Sequence, residues 1–445
     1  MHRGGRGGGP RGCGAGRQHH HHRLHSHHRR AGGDANRVPG GGARQLGGDS
    51  GNAPPTIPGG RVRDSLRSDH RGADGLHRSE DLTQRCVADF RGAGVNDLVT
   101  TLTRLIDIPS VTGDEARICD YVAERLSSSS PRLSQHRVGN SLVAATAGDG
   151  PLVLLAGHLD TVPSQGQPPA YIQGERMYGL GASDMKGGVA VMLHLLVDAD
   201  PTWPFRLAGV FYEAEEGPFA DNGLEPVLNQ CEWLTSASFG VLLEPSDGEI
   251  QAGCNGTMNA KVTFRGKSSH SARPWWGENA VSKAGAWLSQ MHDRAPAPVD
   301  IGGLIYKEVM SVTLARGGIA ANIIPPSFEV NLNYRFGPQR TVAEAEQEVR
   351  KACQAADSVE IVDAAPSGKV VTDHPLVAEL VSATGVGIGP KQGWTDVARI
   401  AARGVPAINF GPGDTSEAHT ARESMPLHHL ELVYQGLKKV LSGSS

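Results

Sequence analysis

The chain is organised around one stretch, Leu152–Pro163, whose sequence is LVLLAGHLDTVP. Its apolar first half predicts a buried strand that stops before Pro163. Residues two apart on a strand point to the same side, so His158 and Asp160 share a face. A carboxylate beside an imidazole fixes the tautomer and leaves the other ring nitrogen for a metal ion. A structural histidine at a strand end is the alternative, and the residues downstream decide between the two.

The composition is that of a globular protein with 445 residues, enough for two or three domains. Hydrophobic residues make up 38% of the chain, yet no apolar run approaches the roughly 20 residues that a membrane helix needs. No apolar core of a secretion signal precedes the globular part. The six cysteines are scattered without a CxxC pair, which predicts reduced thiols. These features together predict a cytoplasmic protein with no membrane partner.

Residues 1–94 differ from the rest of the chain. They contain 16 arginines, 8 acidic residues, no lysine and 10 of the 19 histidines, and they lack apolar periodicity. Such a segment is predicted to be disordered. Three interpretations stay open: a tract that stores or delivers metal ions, an arm that binds nucleic acid, or a start assigned upstream of a true one at Val95. The last is favoured because no methionine occurs between Met1 and Met177, and no nucleic-acid partner is expected.

From Asn96 onward, apolar residues recur with the spacing of helices and strands. Asn96 is predicted to cap a helix that runs to Asp107, and Thr112 with Glu115 resembles a capping box for the next helix. The other segments predicted in this region are strands 141–146, 152–158, 205–212 and 239–243 and helices 116–126 and 187–197. Their alternation predicts an α/β domain whose central mixed, mostly parallel sheet is flanked by helices.

The pattern changes near Gly256, where strands begin to dominate in the order β-α-β-β-α-β. The predicted segments are strands 258–264, 311–315, 328–336 and 359–362 and helices 279–291 and 341–355. This order predicts a two-layer α+β domain inserted into the first one. The α/β pattern then resumes with helices 375–384, 395–402 and 427–441 and strand 406–410. The predicted bounds are 95–256 and 369–445 for the α/β domain and 257–368 for the insertion.

Five candidate metal ligands lie at the ends of predicted strands or in loops, namely His158, Asp184, Glu216, Glu244 and His419. In open α/β sheets, sites gather at the carboxyl ends of the strands. A single carboxylate after a strand is more often a helix cap or a solvated group. Five such groups, each beside Gly or Pro or an apolar strand, are hard to explain in that way. Two imidazoles and three carboxylates suit two zinc-like cations that share one carboxylate.

Four motifs carry a resemblance to a known family, GHLDTVP (157–163), GASDMKGG (181–188), EAEEGP (213–218) and LLEP (242–245). With the late histidine of Ala418-His419, they resemble the dinuclear zinc aminoacylase and carboxypeptidase superfamily. The resemblance extends from about Asn96 to the C-terminus. It implies a zinc-peptidase-like catalytic domain and an inserted domain that serves as a lid and in dimerisation.

The resemblance also implies roles for individual residues. His158 and Glu244 would hold one zinc ion, Glu216 and His419 would hold the other, and Asp184 would bridge both. Asp160 would orient His158, and Glu215 would be the general base that takes a proton from water. Cobalt and manganese are alternatives to zinc, because two imidazoles with three carboxylates tolerate each of these metals.

The predicted insertion carries a further set of residues that the resemblance singles out. The histidine of RGKSSHSARP (265–274), His270, would donate to the oxyanion across a dimer interface, which implies a homodimer. Asn322 and Arg335 match positions that grip carboxylates of the substrate. For Arg335, a salt bridge at the strand edge is an alternative of equal weight.

Four stretches resemble the succinyl-diaminopimelate desuccinylases of the actinobacterial type, namely GCNGT (253–257), HSAR (270–273), GWTDVAR (393–399) and NFGPGD (409–414). This resemblance implies hydrolysis of an N-acylated amino diacid, N-succinyl-LL-2,6-diaminopimelate, in lysine biosynthesis. Thr395 and Asp414 are candidate substrate contacts. The pair Cys254-Asn255 stands where many bacterial desuccinylases carry arginines. A related deacylase, such as an acetylornithine deacetylase or a general aminoacylase, and an inactive metal-binding protein are the alternatives.

Overall fold

The predicted strand around which the chain is organised is present as β3 (Leu152–His158), inside an eight-stranded sheet. The computed structural model describes residues 93–130 and 132–444. The predictions for the N-terminal segment lie outside these residues, apart from Ala93 and Gly94, which belong to the first helix. The other strands of the sheet are β1 (Ser134–Val138), β2 (Ser141–Ala145), β6 (Arg206–Tyr212), β7 (Phe239–Pro245), β8 (Ile250–Ala252), β14 (Ile388–Pro390) and β15 (Ala407–Gly411).

The sheet has the strand order β1-β2-β6-β3-β7-β15-β8-β14. The pairs β6–β3, β3–β7 and β7–β15 are parallel, and so is the pair β8–β14. The pairs β1–β2, β2–β6 and β15–β8 are antiparallel. The prediction of a central mixed, mostly parallel sheet is therefore confirmed.

Helices cover both faces of this sheet. One face carries α1 (Ala93–Ile106), α2 (Ala116–Ser129), α3 (Gly187–Asp198), α8 (Pro375–Thr384) and α10 (Leu427–Ser442), and the other carries α4 (Leu224–Gln230) and α9 (Val397–Ala402). Each face has its own hydrophobic core. Val153 and Leu155 of β3 pack in the core under the first group of helices, whereas Leu154 and Ala156 pack in the core under α4 and α9. A strand buried on both faces has no polar side, which explains the continuous apolar run.

A second sheet is built from five antiparallel strands, in the order β10-β11-β12-β9-β13. Its strands are β9 (Gly256–Arg265), β10 (Ala297–Ile301), β11 (Leu304–Gly317), β12 (Ser327–Phe336) and β13 (Ser358–Ala365). One face packs against α5 (Ala280–Lys283), α6 (Gly285–His292) and α7 (Val342–Ala352). We call this two-layer unit the lid. It confirms the inserted α+β fold, while the predicted bounds 257–368 stay a prediction.

Three short strands form a separate small sheet, β4 (Tyr171–Gln173), β5 (Arg176–Tyr178) and β16 (Ser424–Pro426). Neither this sheet nor β10 was predicted, because such short strands carry too little alternation to be recognised. Within the described ranges, no helix combines the length and the apolar character that crossing a bilayer requires.

Among the helix predictions, those for the cap at Asn96 and for residues 279–291 were wrong. Asn96 does not cap α1, since the helix begins at Ala93 and the Asn96 side-chain oxygen has no hydrogen-bond partner among the described residues. The single helix predicted over 279–291 is two helices, α5 and α6, joined at Ala284. Asn279 caps the first of them, because its Oδ1 accepts the backbone N–H of Val281 at 3.0 Å and that of Ser282 at 3.1 Å.

Candidate metal centre

His158 is the last residue of β3, and its side chain is fully buried. Its Nδ1–H donates to the backbone carbonyl of Asp160 at 3.0 Å. This hydrogen bond fixes the ring and leaves Nε2, which lies 3.0 Å from Asp184 Oδ1. The end of the strand therefore presents one imidazole nitrogen to a neighbouring carboxylate.

Asp184 lies between two imidazoles and contacts them with different oxygens. Its Oδ1 is 3.0 Å from His158 Nε2, and its Oδ2 is 3.3 Å from His419 Nε2. The residue sits in an irregular turn, Ala182–Lys186, directly before α3, and its peptide bond to Met185 is cis. A carboxylate in this position can serve two cations at once.

Sequence reasoning missed Glu423, which holds this turn. Its buried carboxylate accepts the backbone N–H of Gly181 at 2.9 Å and those of Ser183 and Asp184 at 3.0 Å each. Three charge-assisted hydrogen bonds fix the turn and with it the orientation of Asp184. Glu423 follows His419 by four residues, but nothing in the local sequence distinguishes it from a surface glutamate.

Two further predicted ligands complete the cluster. Glu216 Oε1 lies 2.8 Å from His419 Nε2, and Glu244 Oε1 lies 3.9 Å from His158 Nε2. The ligand atoms of His158, Asp184 and Glu244 fall within 4.8 Å of one another, as do those of Asp184, Glu216 and His419. The two groups share Asp184, which is the arrangement that two neighbouring cations need.

Glu215 lies in the same cluster, so distance alone does not separate the predicted base from the predicted ligands. Its Oε2 is 4.0 Å from His158 Nε2, and it forms a third group with His158 and Glu216. The backbone decides where both glutamates point. Asp160 Oδ1 accepts the N–H of Glu215 and Asp160 Oδ2 that of Glu216, each at 3.0 Å. Asp160 thus anchors the loop, besides fixing His158 through its carbonyl.

The predicted capping box of Thr112 and Glu115 is not formed. Thr112 Oγ1 donates to Asp160 Oδ2 at 2.9 Å, and Glu115 Oε1 accepts the N–H of Gly113 at 2.7 Å and that of Ala214 at 3.2 Å. Ala214 has φ = 59°, a left-handed conformation that needs support from its surroundings. The prediction was wrong because both side chains serve the glutamate loop about a hundred residues away, which local spacing cannot reveal.

Burial and mutual repulsion raise the pKa of two carboxylates in the cluster. Burial raises the pKa of Glu215 well above its ordinary value, and the charges of Glu244 and Glu216 add to this effect. Burial also raises the pKa of Glu244 to about 7, with Asp184 acting in the same direction. Moreover, the buried Glu244 Oε1 has no hydrogen-bond partner in the described part of the chain. Such an orphaned oxygen among crowded carboxylates fits a cation site.

The pKa of the second histidine is raised as well. Hydrogen bonds to Asp184 and Glu216 raise the pKa of His419 to about 11. Burial acts to raise the pKa of Asp184, but its hydrogen bonds to His158 and His419 outweigh burial and lower that pKa. In both cases a proton on an imidazole supplies the positive charge that the carboxylates demand. Divalent cations bound by imidazole nitrogen and carboxylate oxygen would supply the same charge.

A cavity of about 270 Å³ opens onto this cluster. The predicted residues that line it are Asp184, Glu215, Glu216, Glu244, Arg335 and His419. The lid contributes further polar side chains that sequence reasoning missed, namely Thr257, Asn259 and Asp363. Their signal was the alternation of β9 and β13, but alternation alone does not tell which face meets the metal centre.

The other predicted site residues lie outside this cavity. His270 and Asn322 are exposed neighbours on the lid, where the backbone carbonyl of Asn322 accepts the N–H of Ser271 at 2.9 Å. The Thr395 hydroxyl is buried and donates to Asn409 Oδ1 at 2.7 Å. Asp414 pairs with Arg176 at 2.9 Å. None of the four reaches the cluster within the described chain, so their roles stay predictions.

Known proteins resemble this chain along most of its length. The putative succinyl-diaminopimelate desuccinylase DapE of Mycobacterium tuberculosis is 41% identical over 361 residues, which are 80% of this chain and 100% of that protein. The succinyl-diaminopimelate desuccinylase of Corynebacterium glutamicum is 37% identical over 358 residues, 78% of this chain and 97% of that protein.

Solved structures share the fold at lower identity. A tripeptidase from Staphylococcus aureus matches with a TM-score of 0.65 and 20% identity, covering 78% of this chain and 98% of its own. A dinuclear metal-binding peptidase from Bacillus subtilis matches with a TM-score of 0.57 and 16% identity, covering 78% and 97%. The profile of Peptidase family M20/M25/M40 matches residues 154–442. With its motifs, its two-sheet architecture and these relatives, the chain belongs to the M20/M25/M40 peptidase family.

Proposed function

We propose that this chain hydrolyses the amide bond of N-succinyl-LL-2,6-diaminopimelate to succinate and LL-2,6-diaminopimelate, a step of lysine biosynthesis. One observation carries the chemistry. Asp184 presents its two oxygens to two different imidazoles, and the carboxylate of Glu215 lines the same cavity. The substrate is supported by relatives of that name at 41% and 37% identity, which this chain covers almost completely.

We assign two divalent metal ions to this cluster, with zinc as the first candidate and cobalt as the second. His158 and Glu244 would hold one ion, Glu216 and His419 the other, and Asp184 would lie between them. The donor set of nitrogen and carboxylate oxygen supports this assignment, as does the orphaned oxygen of Glu244. Bound ions of this kind polarise an amide carbonyl and make water more acidic.

Glu215 is the proposed general base. Its carboxylate lines the cavity, and its backbone is fixed by Asp160, so the side chain has a defined position relative to the substrate. The carboxylate takes a proton from the attacking water and delivers it to the nitrogen of the leaving amine. One water molecule and one amide are thereby converted into one carboxylic acid and one amine.

His270 and Asn322 are the two lid residues that we propose to act on the site of a second copy of the chain. Both are exposed and lie away from the cavity in their own subunit. Apolar side chains surround them on the same loops: Trp275 is 72% exposed, Trp276 60% and Ile319 68%. Two exposed tryptophans and an exposed isoleucine on neighbouring loops mark an interaction surface. We propose that a homodimer covers them and brings His270 to the partner's metal centre.

A substrate panel tests the proposed function. The purified chain, loaded with Zn²⁺, is incubated with N-succinyl-LL-2,6-diaminopimelate, acetylornithine and several N-acetyl amino acids, and products are identified by mass spectrometry. We expect efficient release of succinate and weak activity on the acetylated compounds. Turnover of acetylornithine without desuccinylation would overturn the substrate assignment. Metal binding without any hydrolysis would favour the inactive metal-binding protein.

A further inference from the structure

The strand β13 contains an irregularity that redirects one carboxylate. Opposite β9, Ile361 pairs with Ala260 and Asp363 pairs with Asn259, so Val362 is an extra residue. This is a β-bulge, a feature that is often found beside active sites, where it re-aims a side chain. The Val362 side chain is 62% exposed and does not pack in the lid core.

The bulge reverses which residues of β13 face the lid core. Before it, Val359 and Ile361 pack against the core, and after it Ala364 does so. If the strand alternated regularly through Val362, Asp363 would continue the series of Val359 and Ile361 and point into that core. With the bulge, Asp363 lines the cavity of the metal centre instead. A buried carboxylate in an apolar core would be costly, and here the backbone has turned it toward the site.

Asp363 and Arg335 are the lid's two charged groups in the cavity lining. Arg335 is fixed by its Nε–H, which donates to Asn333 Oδ1 at 3.1 Å. In the residues that the structure describes, the ion pairs of the lid sheet join other groups, such as Lys261 with Glu360. The cavity thus offers one guanidinium and one half-buried carboxylate, and neither is neutralised by a partner within the lid.

We propose that Asp363 binds the free ammonium group of the substrate and thereby selects a diamino diacid. This inference rests on the proposed function. N-Succinyl-LL-2,6-diaminopimelate has three carboxylates but only one ammonium group, which lies on the leaving half. The other carboxylates of the cavity lining are assigned to metal ions or to the proton transfer. Asp363 is the acidic group that remains for an ammonium, while Arg335 is suited to a carboxylate.

The consequence is a selectivity that depends on one amino group. An analogue that lacks this group, N-succinyl-L-2-aminopimelate, has the same carbon chain, the same scissile amide and all three carboxylates. It leaves Asp363 without a counter-charge in a half-buried position. Sites built to bind a polar group reject analogues without that group, because their own polar atoms are then unpaired. We therefore expect the wild-type enzyme to prefer the diamino substrate strongly.

The test measures kcat/KM for both succinylated compounds with wild type, Asp363→Asn and Glu360→Gln. Glu360 is the matched control, since it lies on the same strand but is exposed and pairs with Lys261 outside the cavity. We expect Asp363→Asn to lose about tenfold or more on the diamino substrate, mainly through KM, and to keep its activity on the analogue. Glu360→Gln should change neither value.

The ratio of the kcat/KM values for the two substrates separates the possible outcomes. If the wild type is active and Asp363→Asn has the same ratio of kcat/KM values for the two substrates, the role of Asp363 is overturned. The proposed function is then left intact. An equal loss on both substrates by a folded variant would also overturn it. If thermal unfolding shows that Asp363→Asn is misfolded, Asp363→Ser takes its place. A metal-loaded wild type that cleaves neither compound would overturn the proposed function and this inference with it.

Discussion

Glu215 and Glu216 are adjacent residues for which we propose different tasks. Both backbone amides bind the carboxylate of Asp160, but only Glu216 lies within 2.8 Å of His419. We predict that Glu215→Gln keeps two metal ions per chain and lowers kcat about a thousandfold or more, because the proton acceptor is lost. Glu216→Gln should instead lose one ion. Metal analysis by mass spectrometry together with steady-state kinetics checks both variants.

The two variants serve as controls for each other, since they remove the same charge from neighbouring positions of one loop. Wild-type turnover in Glu215→Gln would assign the base to another residue. Loss of metal from Glu215→Gln at the same level as from Glu216→Gln would make Glu215 a ligand, an outcome that its 4.0 Å distance from His158 allows.

Glu115 is a positioning residue at some distance from the reacting atoms. Its buried carboxylate accepts the N–H of Ala214, which directly precedes Glu215. We predict that Glu115→Ala lowers kcat about tenfold with little change in KM, because the base is misplaced while the substrate contacts remain. Glu115→Gln retains an oxygen acceptor and should recover most of the lost activity. Asp114→Ala, a change at the exposed neighbour, is the control for kinetics and thermal unfolding.

If Glu115→Gln were as impaired as Glu115→Ala, charge rather than the hydrogen bond to Ala214 would be responsible. The residue also illustrates what sequence reasoning can reach. The five candidate ligands could be proposed from sequence because each stands near the end of a strand or in a loop, as part of a recognisable pattern. Glu115 and Thr112 were assigned to a helix cap because spacing shows local partners and hides those brought together by folding.

At the scale of elements, long periodic segments were predictable and departures from periodicity were not. Strand β3 was predicted with its observed bounds because a strand buried on both faces is apolar throughout. The bulge at Val362 leaves only a weak signal. Val-Glu-Ile-Val-Asp departs from alternation at the adjacent apolar pair Ile361-Val362, but such a pair does not by itself show that the strand holds an extra residue. The break of the helix at Ala284 is similar, because α5 and α6 share one amphipathic pattern across it.

The turn that follows β12 depends on a single carboxylate on β11. Glu308 Oε1 accepts from the N–H of Gly337 at 3.2 Å and from Gln339 Nε2 and Arg340 Nε at 2.7 Å each, and Oε2 accepts from the Tyr334 hydroxyl at 3.1 Å. Burial acts to raise the pKa of Glu308, but these hydrogen bonds outweigh burial and lower it below its ordinary 4.5. Folding therefore favours the charged form.

A stability that depends on pH follows from this lowered pKa. Glu308 contributes fully to the free energy of unfolding above its unfolded-state pKa, and the contribution is lost as the pH falls through the folded-state pKa. We predict that Glu308→Gln costs about 2 kcal/mol at pH 7 and that its difference from wild type narrows below pH 4.5. Urea unfolding at several pH values measures this. A difference that stays constant with pH would mean that Glu308 acts through packing alone.

At the scale of the whole molecule, the proposed homodimer would complete each metal centre with a group from the partner subunit. The parallel strands bring the proposed metal ligands together at one edge of the central sheet, as α/β architecture predicts. The lid presents Arg335 and Asp363 to the cavity, while His270 remains exposed on its loops. Sequence could suggest a homodimer by resemblance, but an interface between two copies leaves no periodic signal in either one.

Mixing two inactive variants tests whether a partner subunit completes the site. Glu215→Gln lacks the base but retains His270, and His270→Ala lacks the lid histidine but retains the base. In a mixed dimer, the subunit with Glu215 receives His270 from its partner, so one of the two sites is complete. Random exchange of equal amounts should therefore restore about a quarter of the wild-type activity per site. Native mass spectrometry verifies that mixed dimers have formed, and subunits of one variant mixed with themselves are the control. Mixed dimers with no more activity than the two parents would place His270 outside the partner's site.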